Sequence, residues 1–140
     1  IDVALASGAD GVQLGRDAVP VDAARNVARR AGRRLRIGTS VHSAAEAAQA
    51  AADGADLVIL GTIWGSASHP GRQGSGVALV AEAAAVCPVP VYAIGGVTPQ
   101  RAAVALNAGA YGVAVLTGVW DKPDAAAEAM SFLEAMQVVS

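Results

Sequence analysis

Two strand ends that run into glycine hold the clearest chemistry in this sequence. In Ala93-Ile94-Gly95-Gly96-Val97-Thr98-Pro99 an apolar strand pattern stops at paired glycines just ahead of a capped helix start. Glycines let backbone N–H groups come close to a ligand, and a helix N-terminus adds partial positive charge, so the segment predicts an anion site without lysine. Val113-Ala114-Val115-Leu116-Thr117-Gly118 is a similar strand running into a hydroxyl and a glycine. On its own, the Gly95-Gly96 segment reads equally as an ordinary tight turn. If the two strands are neighbours, Gly96 and Thr117 face one phosphate from two sides.

A third candidate is the polar stretch from Gly61 to Gly76, sixteen residues with five glycines. That is long for a strand-to-helix link, and long loops in compact domains usually carry function or move. Ser66 and Ser68 offer hydroxyls, while His69 and Arg72 offer cationic donors suited to phosphate or pyrophosphate. Ser40 and His42 fall at the end of another strand pattern, and His42 reads equally as a helix-start residue or as an acid or base. Asp17 either touches a metal or caps the turn that follows it. No Cys, His and carboxylate cluster has transition-metal spacing, and no nucleophile elbow is present. Cys87 is the single cysteine; lying before Pro88 in an apolar segment, it reads as a packed side chain.

The elements that position these residues follow from an internal repeat. Gly8-Ala9-Asp10-Gly11-Val12-Gln13-Leu14-Gly15 recurs as Gly54-Ala55-Asp56-Leu57-Val58-Ile59-Leu60-Gly61 and as Gly109-Ala110-Tyr111-Gly112-Val113-Ala114-Val115-Leu116. Each copy reads as a helix ending on glycine and returning to a buried parallel strand. Two more strands are expected at Leu35 to Val41 and Val89 to Ile94. Helices are expected from Pro20 or Asp22 through Arg30, at Ala44 to Ala52, Val77 to Val86, Gln100 to Asn107 and Asp124 to Met136. Ser43 with Glu46 predicts a capping box, and Thr98 with Pro99 an N-cap and a first-turn proline. Five βα units fit either a doubly wound sheet or part of an eight-fold barrel. Gly15-Arg16-Asp17-Ala18 is no dinucleotide-binding fingerprint, whereas a barrel's phosphate site lies after strands seven and eight. The glycines gather there if these five strands are numbers four to eight. The expectation is therefore α/β: one domain over residues 1–140, an incomplete (β/α)8 barrel of the triosephosphate isomerase (TIM) type.

Composition agrees. The chain is 54% hydrophobic, 16% charged and only 4% aromatic, which suits small-residue helices packed on a buried sheet. A net charge of -2 gives no broad case for nucleic acid or an anionic membrane. Arg25, Arg29, Arg30, Arg33, Arg34 and Arg36 cluster locally and read as a solvated helix face. The apolar runs are too short to span a bilayer. With a single cysteine, this predicts a cytoplasmic protein. Ile1 leads into a strand pattern within ten residues, which predicts that an upstream part of the domain precedes it.

These motifs resemble, in order and spacing, the thiamine phosphate synthase and TenI superfamily from its fourth strand to its C-terminus. Residues 8–15 are similar to the family's GADGVHLG, and Ile37-Gly38-Thr39-Ser40-Val41-His42-Ser43 to its IGxSxHS/T. Residues 61–71 are similar to its GPIFPTxTK loop, and the two glycine-ended strands to its closing phosphate motifs. The resemblance implies a barrel that joins an aminopyrimidine diphosphate to a thiazole phosphate and releases pyrophosphate with Mg2+ help. It implies a thiazole phosphate held by Gly95, Gly96, Leu116 and Thr117 and contacted by Ser66 and Ser68. It implies Ser40 and His69 on the pyrimidine diphosphate side as the catalytic pair. His69 stands where the family has lysine, and Ala18 where it has a metal-binding Asp, leaving Asp17 one place early as the metal candidate. Thr62 stands where the tautomerase branch has its histidine, and Gln13 where His is frequent. Thiazole tautomerase and a non-catalytic thiazole-phosphate binder are the alternatives. An open barrel exposes apolar sheet edges that invite association, so a homo-oligomer stays open.

Overall fold

A computed structural model describes residues 1–65 and 73–137 of the chain. The order is α1 (Asp2–Ser7), β1 (Gly11–Leu14), α2 (Val21–Arg30), β2 (Arg36–Val41), α3 (Ala44–Ala52), β3 (Leu57–Gly61), α4 (Ala78–Val86), β4 (Val91–Ile94), α5 (Pro99–Asn107), β5 (Gly112–Ala114), α6 (Thr117–Trp120) and α7 (Ala125–Gln137). The five strands form one parallel sheet in the order β1-β2-β3-β4-β5. Strand order never reverses, so the sheet lacks the switch point of a doubly wound fold.

Strand alternation divides the sheet into two unlike faces. Ile37 and Val41 of β2, Val58 and Leu60 of β3, and Val91 and Ala93 of β4 are all buried. They share one cluster with Ala24 of α2, Ala47 and Ala50 of α3, Val80 and Ala83 of α4 and Ala105 of α5. Because α2, α3, α4 and α5 all feed that cluster, they lie on the same side of the sheet. Their alanines recur three to four residues apart, which brings helix backbones close and leaves the strands to supply bulk. The opposite face carries Gln13, Ser40, Ile59, Tyr92 and Ile94, none of them buried.

Most element ends lie within one residue of those expected. β4 starts at Val91 and not at Val89, since Pro90 has no N–H for the ladder; its carbonyl accepts from Val58 N–H at 3.0 Å. The capping box differs in one partner. Ser43 Oγ accepts from Glu46 N–H at 3.1 Å, but the Glu46 carboxylate takes the N–H of His42, at 2.7 Å. Helix α6 is a further element that the strand-and-glycine pattern at 113–118 did not announce.

Arg25 corrects the reading of the arginine cluster as a solvated face. Its guanidinium turns inward and donates to Leu35 O at 2.7 Å, Gly54 O at 2.6 Å and the Asp56 carboxylate at 2.6 Å. Asp56 also accepts from Ile37 N–H at 2.7 Å. Burial pushes the Asp56 carboxyl up, but the Ile37 donor and the Arg25 charge outweigh it and hold the group below its ordinary value of 3.8. This clamp ties α2 to the starts of β2 and β3, at the end of the sheet opposite the glycine turn. Among the described residues no helix is long and apolar enough to cross a membrane.

Candidate functional site

The C-terminal ends of the strands hold two pockets. The first is built on the exit of β4. Gly95 and Gly96 take φ values of +100° and +58°, a region where side chains are strained. Space is short as well: a Cβ at Gly95 would meet the Thr62 side chain, and one at Gly96 would meet the carbonyls of Trp64 and Gly65. Glycine is thus required at both positions on two separate grounds. Thr62 to Gly65, the outgoing stem of the long loop, crosses directly over the turn. Ile63 N–H donates to Ile94 O at 2.9 Å and Trp64 N–H to Gly95 O at 3.1 Å, which continues the β3–β4 pairing past the end of the ladder. The returning stem closes on the outgoing one through Ser75 N–H to Thr62 O, 3.0 Å, and Gly76 N–H to Ile63 O, 2.9 Å.

Between this turn and the exit of β5 lies a pocket of about 130 Å3 whose walls include Gly95, Gly96, Val97, Leu116, Thr117 and Gly118. Gly95, Gly96, Leu116 and Thr117, read from separate parts of the sequence, therefore line one cavity. Among the described residues the N–H groups of Gly96, Val97, Thr117 and Gly118 meet no acceptor. Unbonded N–H donors around a small concavity suit an anion with several oxygens. Thr98, Pro99 and Gln100, at the start of α5, line an open groove beside α7 that shares Val97 and Gly118 with this pocket, so that helix start adjoins the pocket but does not wall it. Thr117 and Gly118, the first two residues of α6, do.

The second pocket, about 180 Å3, is walled by Arg16, His42, Gly61, Thr62, Gln73 and Ser75, from the exits of β1, β2 and β3 and the returning loop stem. A ring nitrogen of His42, Nδ1, meets the Gly61 carbonyl. A carbonyl only accepts, so Nδ1 carries the hydrogen, and in the neutral ring Nε2 is left as an acceptor. Thr62 lines both pockets, which makes them neighbours.

The remaining expected residues fall elsewhere. Ser40 lines neither pocket; its hydroxyl accepts from Gln13 Nε2 at 3.2 Å on the sheet face away from the helices. Asp17 is exposed in the turn after β1 and lines neither pocket. Ser66, Ser68, His69 and Arg72 lie outside the described residues. Arg16, Gln73 and Ser75 carried a legible signal that went unused: an arginine directly after a strand-ending glycine, and two polar residues on the return of the long loop. The Mg2+ implied by the resemblance finds no prepared site, since among the described residues no group of three or more His, Cys, Asp or Glu comes together. A lone exposed Asp17 does not fit the octahedral demand of Mg2+, which takes carboxylates together with substrate phosphates.

The chain as a whole is similar to known proteins. Residues 1–119 match the family described as thiamine monophosphate synthase. The chain is 40% identical over 139 residues to a thiamine-phosphate synthase of Deinococcus radiodurans, covering 99% of this chain and 48% of that protein. It is 42% identical over 130 residues to a thiamine-phosphate synthase of Mycolicibacterium smegmatis, covering 91% and 56%. A solved thiamine phosphate pyrophosphorylase from Pyrococcus furiosus superposes with a TM-score of 0.86 at 32% identity, over 99% of this chain and 64% of that one. The chain thus spans about half the length of these curated relatives.

Proposed function

The chain belongs to the thiamine monophosphate synthase family, and from that premise we propose that it forms the phosphate-gripping side of a transferase. In this reading the enzyme couples 4-amino-5-hydroxymethyl-2-methylpyrimidine diphosphate to a thiazole phosphate and releases pyrophosphate. The five strands are strands four to eight of an eight-stranded barrel, for which the unbroken sequential order and the Pyrococcus likeness are the support.

One observation favours a joining reaction over a rearrangement of a single substrate: two pockets of unlike chemistry share the wall residue Thr62. The pocket of free N–H groups takes the thiazole phosphate. The pocket with Arg16 takes the diphosphate, whose charge the guanidinium complements. As the pyrimidine C–O bond breaks, its electron pair leaves with the diphosphate, and Arg16, Thr62 and Ser75 lie where donors can stabilise it. The thiazole nitrogen then attacks the exposed carbon, forming the C–N bond. Fixing the thiazole by its phosphate holds that nitrogen against the carbon, which is the positional part of catalysis. In the family's pattern Ser66 and Ser68 contact the thiazole phosphate, and Ser40 and His69 act on the diphosphate side. Mg2+ belongs to the reading through the family and would arrive with the diphosphate.

The test is to incubate the full-length protein with both phosphorylated substrates and Mg2+ and to measure pyrophosphate. Release that requires both substrates is expected. Absence of release, with the thiazole phosphate still bound, would sink the transferase in favour of the tautomerase or binder.

A further inference from the structure

Resting on the phosphate reading of the Gly95-Gly96 turn, we propose that Arg101 is a positioning residue that locks this turn and the stem of the long loop into a single anion-binding unit. Arg101 lies in the first turn of α5, where its backbone N–H donates to Thr98 Oγ1 at 3.3 Å. Its Nη1 donates to the Gly96 carbonyl at 2.7 Å, and its guanidinium carbon stands 5.4 Å from the centroid of the Trp64 ring. One exposed side chain therefore holds both the glycine turn and the strand stem that crosses it.

The geometry of the peptide unit gives that grip its effect. In a trans peptide the C=O of one residue and the N–H of the next point in opposite directions. Holding Gly96 O toward α5 turns the Val97 N–H the other way, and Val97 is a wall of the pocket. Glycine at 96 fits the crowded turn, yet by itself it leaves the peptide free to rotate. Arg101 removes that freedom from outside the pocket. The stacking on Trp64 adds the second tie, because Trp64 N–H is bonded to Gly95 O at 3.1 Å and the Trp64 carbonyl lies against Gly96. Phosphate captured at the turn thus stabilises the loop stem, and a disturbed stem weakens the phosphate site.

Arg101 is exposed and its bond to Gly96 O can be replaced by water, so its removal should spare the fold. The experiment titrates the full-length protein with the phosphorylated thiazole while recording the Trp64 emission, defined as the signal that Trp64→Phe removes. In the unaltered protein the ligand should shift that emission. In Arg101→Ala, affinity should fall about tenfold and the Trp64 response should vanish, with the melting midpoint within about 2 °C of the unaltered protein. Arg101→Lys should recover part of the affinity, because an ammonium reaches the carbonyl but lacks the planar stacking surface. Unchanged affinity and an unchanged Trp64 response in Arg101→Ala overturn the proposal, whereas loss of binding in Gly96→Asp alongside that result leaves the phosphate site standing. No binding by the unaltered protein overturns both.

Discussion

Gly96 is constrained from three directions. Its φ of +58° disfavours a side chain, the carbonyls of Trp64 and Gly65 leave no room for a Cβ, and it lines the pocket with an N–H that meets no acceptor among the described residues. Gly96→Asp adds a carboxylate at the place proposed for a phosphate. Repulsion and the lost close approach should weaken thiazole-phosphate binding by about 2 to 4 kcal/mol, measured by calorimetry. Unchanged affinity would remove the phosphate site. Arg16 separates the two pockets at the same scale. Arg16→Ala should raise KM for the diphosphate substrate about tenfold and flatten its salt dependence, because a phosphate contact is an ion pair screened by salt. Thiazole-phosphate affinity should hold, since Arg16 lines only the second pocket. Equal losses for both substrates would show that the pockets do not divide the substrates as proposed.

Elements were legible where one local rule sufficed. The three glycine-ended helix-to-strand repeats marked β1, β3 and β5, and Thr98 with Pro99 marked the start of α5. Helix α6 was not legible, because Thr117-Gly118-Val119-Trp120 contains no strong helix former. What permits α6 is packing: Gly118 sits so close to the Val115 side chain and the Val97 carbonyl that a Cβ would crowd both. Arg25 was misread for the same kind of reason, since its acceptors lie 10, 29 and 31 residues away. Asp56 turns that clamp into a pH effect. A carboxyl whose folded value is lowered contributes stability that is complete above its unfolded value near 4 and is lost as pH falls through the folded value. Asp56→Asn should therefore flatten the acid side of a stability-against-pH curve below about pH 4. With the carboxylate 42% exposed, the loss at neutral pH should stay near 1 kcal/mol or less. An acid limb as steep as before would place the titrating group elsewhere. Arg25→Ala should cost more, about 1 to 2 kcal/mol, because the carbonyl of the buried Leu35 loses its donor.

For the whole molecule the contrast between the two sheet faces decides what the barrel reading predicts. The helix side is sealed by alanines, while Ile59, Tyr92 and Ile94 on the other side are only half-buried, with Tyr92 edge-on to Tyr111 at 5.5 Å. Among the described residues β1 and β5 each pair on one side only, so two edges carry unpaired backbone groups. In an eight-stranded barrel the added strands pair both edges and this second face becomes interior. A lysine at Tyr92 should then have opposite consequences in two settings. In residues 1–140 expressed alone, Tyr92→Lys should reduce apolar-dye binding and self-association, at little cost to stability, because the face meets water. In a full-length protein with a closed barrel, the same charge is buried without a partner and should cost about 3 kcal/mol or more in chemical denaturation. If the two costs come out equal, no added strands cover this face, and the five strands are a complete sheet and not part of a barrel.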